Sequence, residues 1–489
     1  MTAGLRLTWV QPEDLIGHEL RQAREDGRDA SRIRDRWVDA GGRVAPPRAG
    51  ASPTAASPAL RDLAHELLDE LALIPSPLAH DEPTELAAIV AACPAWPATR
   101  DPYPGRADDA PASTPPAPGS REAPSSAPAA GTGTGTGTEE SHPLHAAWLG
   151  RAVGCLLGKP VEKLPLHAIR DLARATGNWP LHTWFTAKGL PAELAAAHPW
   201  NRRSAATSLA ENIDGMPEDD DLNFPLVNLL LLQRHGRNFT TAQVGRLWLD
   251  ELPAGRTFTA ERVAYRNLLC GVEPPLTAHH RNPFREWIGA AIRADIHGWT
   301  HPGDPAAAAR QAYRDATLTH TANGVYGAMF VAAALATAAT RTADVHDALS
   351  AGLSVVPPHS RLARAVRLGI ETARTERDFA QVADRLHAAY GTYHWVHVIP
   401  NAALLAAALT HADGDFTASI CRAVSGGWDT DSNGATAGSL AGLIAGHPDA
   451  LPDRWTAPLK NRLATSVTGF DGIGFDTLAH LTHQEALRP

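Results

Sequence analysis

The chain has 489 residues, 44% hydrophobic and 20% charged, enough for roughly two or three domains of about 150 residues each, with a sizeable core. Its net charge is −9 with no Lys/Arg-rich run, which argues against nucleic acid as the main partner, because phosphate neutralisation needs a concentrated basic surface. Four scattered cysteines, Cys93, Cys155, Cys270 and Cys421, form no C-x-x-C pair; neither a disulfide framework nor a zinc knuckle is readable, and a reducing cytoplasm is the expected setting.

In chain order, the N-terminus runs from Met1 straight into Gln11-Pro12-Glu13-Asp14 without an apolar signal core. No later apolar run approaches the roughly 20 residues of a membrane span, so no membrane partner is expected. Pro12-Glu13-Asp14 opens a helix with Leu15, Ile16, Leu20 and Ala23 on one face. A second helix is predicted over Leu60–Leu73, where Leu60, Leu63, Ala64, Leu67, Leu68 and Leu71 recur at helical spacing. With Trp9, Trp37 and Leu15 as a small core, residues 1–93 read as a helical unit of unknown role, marginal alone unless it docks on the rest of the chain or on a partner.

Residues 94–142 are dominated by Pro, Ala, Ser, Gly and Thr, with a Gly-Thr alternation from Gly131 to Thr138. So little apolar surface cannot offset chain entropy, and a disordered linker is predicted. From residue 143 to 489 the pattern is helical, with Ala-rich segments at Val325–Thr337, Asn401–Leu409 and Ala435–Ala445 and almost no period-two alternation. The expected fold is therefore an all-α domain following the small helical unit and linker.

Three elements of this domain carry acidic residues: Gly154-Cys155-Leu156-Leu157-Gly158-Lys159-Pro160-Val161-Glu162, then Glu218-Asp219-Asp220-Asp221, then Gly426-Gly427-Trp428-Asp429-Thr430-Asp431-Ser432-Asn433-Gly434. Consecutive carboxylates repel unless a cation sits among them. Each cluster alone can be read as a helix cap; two clusters, one flanked by Gly-Gly, point to a hard divalent metal held by oxygen ligands.

The three elements, in this order, resemble the ADP-ribosylglycohydrolases, the all-α enzymes related to the dinitrogenase-reductase-activating glycohydrolase. Gly154, Gly158, Pro160 and Glu162 match the opening Gly-x-x-x-Gly-x-Pro-x-Glu element. Residues Glu218–Asp221 are similar to the central Thr-Asp-Asp-Thr, and Gly426–Gly434 to the C-terminal Gly-Gly-Asp-Thr-Asp-Thr/Ser-Asn element. The resemblance implies a hydrolase of N- or O-glycosyl bonds to ribose, acting on ADP-ribosylated protein or a small ADP-ribosyl or ribosyl compound. It also implies two neighbouring Mg²⁺ ions, with Mn²⁺ as a substitute. Carried over, it makes Glu218, Asp219, Asp220, Asp429, Asp431 and Ser432 metal ligands, with Glu162 and Asp429 in the chemistry.

Three positions depart from the family pattern: Cys155 replaces an acidic residue, Glu218 stands where a Thr ligand would, and Trp428 intrudes before Asp429. These departures leave open a catalytically silent ADP-ribose-binding module, or a hydrolase of another nucleoside-like or sugar metabolite. His320 resembles a cleft-lining family histidine and is either a substrate contact or a core residue. Trp428 either stacks on a base or fills the pocket wall. Arg293 and Arg285, in loops rich in aromatics and histidine, suit a phosphate and equally a core joint.

Overall fold

The computed structural model describes residues 5–45, 50–98 and 139–488. The chain is all-α as its patterning predicts: among the described residues no strand forms, and only isolated bridges such as Trp287 with His397 occur. None of the described helices is long and apolar enough to cross a membrane.

The N-terminal unit contains α1 (Pro12–Glu25), α2 (Ser31–Asp39), α3 (Pro58–Ala72) and α4 (Leu86–Ala92). Proline opens α1 and α3, where a missing N–H costs no hydrogen bond. Leu15, Ile16, Ala23, Ala64, Leu67, Leu68 and Leu71 are buried, as their spacing predicts, and Trp37 is buried with them; Trp9, Leu20, Leu60 and Leu63 are half-buried.

This unit does not stand alone. Arg285 of the large domain binds Glu19 at 2.7 Å, and Arg28 pairs with Glu19 and Asp26 at 2.7 and 2.8 Å. Arg361 joins Glu82 of the unit and Glu286 of the large domain, both at 2.7 Å. Trp9 packs edge-on against Phe284, with ring centroids 5.5 Å apart. Docking supplies the apolar and ionic partners that a unit of this size lacks by itself.

The linker expected over 94–142 falls mostly on 99–138, outside the described residues. At its end Glu139–Ser141 makes a 3₁₀ turn into α5 (His142–Gly158). The helices used below are α6 (Asp220–His235), α7 (Pro305–Ala316), α8 (Ala322–Ala338), α9 (Arg361–Thr375), α10 (Val398–Ala412), α11 (Phe416–Ser425), α12 (Thr430–Ala445) and α13 (Phe475–Leu487). The middle of the domain is formed by α8, α10 and α12, which are rich in Ala, with Gly in α8 and α12, and buried on nearly every side. Around them α7 packs on α8, α9 on α10, and α11 and α5 on α12.

The α5–α12 pair sets the site. These helices run antiparallel in backbone contact: a Cβ on Gly150 would lie 2.1 Å from the Gly438 carbonyl oxygen, and one on Gly158 2.2 Å from that of Thr430. Thr430 Oγ1 donates to the Gly158 carbonyl at 2.8 Å and closes the end of the pair. The C-terminus of α5, with Lys159 and Glu162 just beyond it, therefore meets the N-terminus of α12, with Asp429 and Asp431.

Candidate active site

A third chain segment completes the cluster. Asp219 caps α6, its side chain accepting from the Asp221 N–H at 2.9 Å. Arg151 of α5 ties α6 down, donating to the Asp221 carbonyl at 2.7 Å while reaching Asp295 at 2.9 Å. Asn401 of α10 braces the other arm: its Oδ1 accepts from the Asp429 N–H at 3.1 Å and from Asn433 Nδ2 at 2.7 Å.

These arms line a cleft of about 490 Å³. On its buried side are Glu162, Asp219, Asp220, Asp221, Asp429, Asp431 and Ser432; Lys163, Arg203 and Arg256 are exposed at its margin, and Trp9, Trp395 and Phe258 contribute aromatic wall. Two sets of ligand atoms converge within 4.8 Å: Glu162, Asp429 and Asp431 in one, and Cys155, Asp219 and Asp221 in the other. The first is all carboxylate oxygen and suits a hard ion such as Mg²⁺ or Mn²⁺. The second includes a thiol that burial and neighbouring carboxylates keep protonated, a poor ligand for such an ion.

Electrostatics act on both sets: burial and Asp219 push Asp221 well above the usual carboxylate range despite Arg151. Burial, then the Asp431 charge, pushes Asp429 well above the usual carboxylate range; Asp431 is raised by burial and by Asp219. Glu162 is pushed up to about 7 by burial and by Asp431. A cation among these three groups would relieve the repulsion. Asp219 differs: burial pushes it up, but the Lys159 ammonium, the Asp221 N–H and the Cys155 thiol together hold it below the usual range.

The family profile for ADP-ribosylglycohydrolase matches residues 140–486. The chain belongs to the ADP-ribosylglycohydrolase family. An "Uncharacterized protein" of Archaeoglobus fulgidus is 27% identical over 319 residues, 64% of this chain and 90% of the relative. Among solved structures, a chain of an "ADP-ribosylglycohydrolase-related protein complex" is similar, with 20% identity and a TM-score of 0.45 over 71% of this chain and 99% of that one.

Within this ADP-ribosylglycohydrolase-family chain, Glu162, Asp219, Asp220, Asp429, Asp431 and Ser432 all border one cleft, although they come from three distant segments. Glu218 also borders it but belongs to neither ligand set. Its Oε1 accepts from Ser466 N and Asn223 Nδ2 at 2.9 and 3.1 Å, and its Oε2 pairs with Arg256 at 2.7 Å. Its neighbour Asp221 points inward in its place, accepting from Ser432 Oγ at 3.3 Å.

The three substrate-contact candidates lie off the cleft. Arg293 is fully buried and its donors are engaged by Asp315, Glu261, Thr319 and the Gly289 carbonyl. His320 is fully buried beside Thr319, with Nε2 4.0 Å from Glu261. Both stand one layer behind the cleft, around Glu261, whose carboxylate reaches it because residue 289 is glycine: a Cβ there would lie 2.1 Å from Glu261 Oε1. Trp428, at φ 58°, turns away and stacks on His387 at 3.9 Å and 7°. Arg285 serves the N-terminal interface.

Sequence reasoning missed Trp9, Lys159, Asn201 and Glu261 as cleft residues. Lys159 sits inside the Gly-x-x-x-Gly-x-Pro-x-Glu element, so its position carried a signal. Trp9 and Asn201 lie in no motif.

Proposed function

We propose that this protein is a divalent-metal-dependent hydrolase of the glycosidic bond to ribose in an ADP-ribosyl conjugate, protein-bound or small. The observation that carries the proposal is the convergence of Glu162, Asp429 and Asp431, carboxylates raised by burial and mutual repulsion, at the head of the α5–α12 pair. Mg²⁺ or Mn²⁺ held by these residues would polarise ribose hydroxyls and orient a water for attack on the anomeric carbon.

The chain's own residues supply the remaining functions. Asn201 donates to Glu162 Oε2 at 2.5 Å and Lys163 pairs with Oε1 at 2.9 Å, which fixes the carboxyl in one orientation. So held, the Glu162 carboxylate is placed to take the proton of the attacking water. Asp429 and Asp431 present negative charge to the oxocarbenium-like state of glycoside cleavage. Lys163, Arg203 and Arg256 offer cations to a diphosphate, and Trp9 and Trp395 offer faces to ribose or base. Asp219, Asp220 and Ser432 border the same space as further oxygen donors.

The test is to incubate the full chain with N- and O-linked ADP-ribosyl conjugates and follow released ADP-ribose by chromatography, with Mg²⁺, with Mn²⁺ and with chelator. Release with metal only is expected. Absence of release from every conjugate under either metal would refute the proposal.

A further inference from the structure

We propose that the Lys159 ammonium is the resident cation on the Asp219 side of the cleft, so that the centre takes one divalent ion, at Glu162, Asp429 and Asp431. The family resemblance implies two. This inference rests on the metal-dependent reading of the site and concerns the number of ions and the residue that sets it.

Lys159 follows Gly158 directly, and the close α5–α12 contact places it inside the acidic cluster. It is 7% exposed, and its Nζ donates to Asp219 Oδ2. The other Asp219 oxygen accepts from the Asp221 N–H. Asp221 in turn faces the Arg151 guanidinium at 3.4 Å, accepts from Ser432 at 3.3 Å, and has the Cys155 thiol 4.0 Å away. Asp219 thus already has a buried cation, Asp221 shares Arg151 with Asp295, and the remaining donor is a sulfur that a hard ion does not favour.

The other side has no ion pair to a buried cation among the described residues, and Lys159 acts on Asp431 only from beyond ion-pair distance. Asp429 and Asp431 have no ion pair among the described residues, and Glu162 has only Lys163, whose side chain is 49% exposed. Asp220, also without an ion pair among the described residues, supplies a further oxygen within the cleft. One divalent ion satisfies this side. A second, on the Asp219 side, would have to displace a buried ammonium and use a thiol.

The test is the stoichiometry of Mn²⁺ bound to the full chain after equilibrium dialysis, read by elemental analysis and by electron paramagnetic resonance. One Mn²⁺ per chain with an isolated six-line spectrum is expected, unchanged in Lys159→Arg. The Lys159→Met/Cys155→Asp double variant, checked for unchanged helicity by circular dichroism, is expected to take two ions with a spin-coupled spectrum. Two ions in the unmodified chain, or one in the folded double variant, would overturn the inference while leaving the metal-dependent reading intact. No bound Mn²⁺ in the unmodified chain would overturn both.

Discussion

Gly154 and Gly434 face each other backbone to backbone: a Cβ on Gly154 would lie 1.8 Å from the Gly434 carbonyl oxygen, and one on Gly434 2.2 Å from that of Gly154. Neither carbonyl can yield without separating α5 from α12, and that separation would pull Glu162 from Asp429 and Asp431. Gly154→Ala is therefore expected to cost at least about 3 kcal/mol, the upper end of what overpacking brings. Thermal denaturation would show a melting temperature lower by several degrees, with metal affinity falling in parallel; an unchanged melting temperature would refute this packing.

Arg293 and Arg256 separate a core role from a site role. Arg293→Met leaves the Glu261 and Asp315 carboxylates buried without their cation, a loss of roughly 3–5 kcal/mol. Arg256→Ala, at the half-exposed cleft margin, should leave stability within about 0.5 kcal/mol and raise KM for an ADP-ribosyl conjugate. Chemical denaturation and steady-state kinetics on the two variants check this division.

Trp9 reaches the cleft from outside the segment that matches the family profile. Trp9→Ala should raise KM about tenfold, from loss of roughly 1–1.5 kcal/mol of aromatic contact, with kcat changed less than about twofold. A KM equal to that of the unmodified chain would remove Trp9 from substrate binding.

How much of this was legible in the sequence depended on the reach of each signal. Gly154, Gly158, Asp429 and Asp431 were readable because small-residue spacing and Asp-x-Asp are local patterns whose geometry a helix pair dictates. Arg293 was ambiguous because a guanidinium suits a phosphate and a buried carboxylate equally; its partners Glu261 and Asp315 lie 32 and 22 residues away and carry no mark of pairing. Glu218 and Asp221 share one acidic run, and only the start of α6 decides which of them turns inward. The helical faces of α1 and α3 were legible from periodicity. That they dock beside the cleft was not, since charged partners such as Glu19 and Arg285, 266 residues apart, have no sequence signature.

That docked interface should respond to pH. Burial pushes Glu25 up to about 8, against the attraction of Arg21, Arg24 and Arg361, and Glu286 adds repulsion. The interface histidines His18, His394 and His397 are held neutral by burial, with His18 pushed down to about 4. Below about pH 7.5 the unfolded histidines still bind protons and oppose the Glu25 effect; between about pH 7.5 and 8.5 they are largely neutral, folded or unfolded. In that window Glu25 still holds part of its proton in the folded chain and has lost it in the unfolded one. Folding then takes up a proton, so stability falls as pH rises through this window, by on the order of 0.5–1 kcal/mol. Melting temperatures at about pH 7.5 and 8.5 should differ less in Glu25→Gln than in the unmodified chain.

In the proposed reaction Glu162, Asp429 and Asp431 hold the metal that drives glycosidic cleavage. The most direct test is single-turnover release of ADP-ribose from a conjugate by the unmodified chain and by Asp429→Asn and Asp431→Asn, with bound Mn²⁺ measured on the same samples. Both variants are expected to lose bound metal, and release to fall at least about 10²-fold, a loss on the order of 3 kcal/mol in transition-state stabilisation. Release at the unmodified rate from a variant that has lost its metal would contradict this role for the metal.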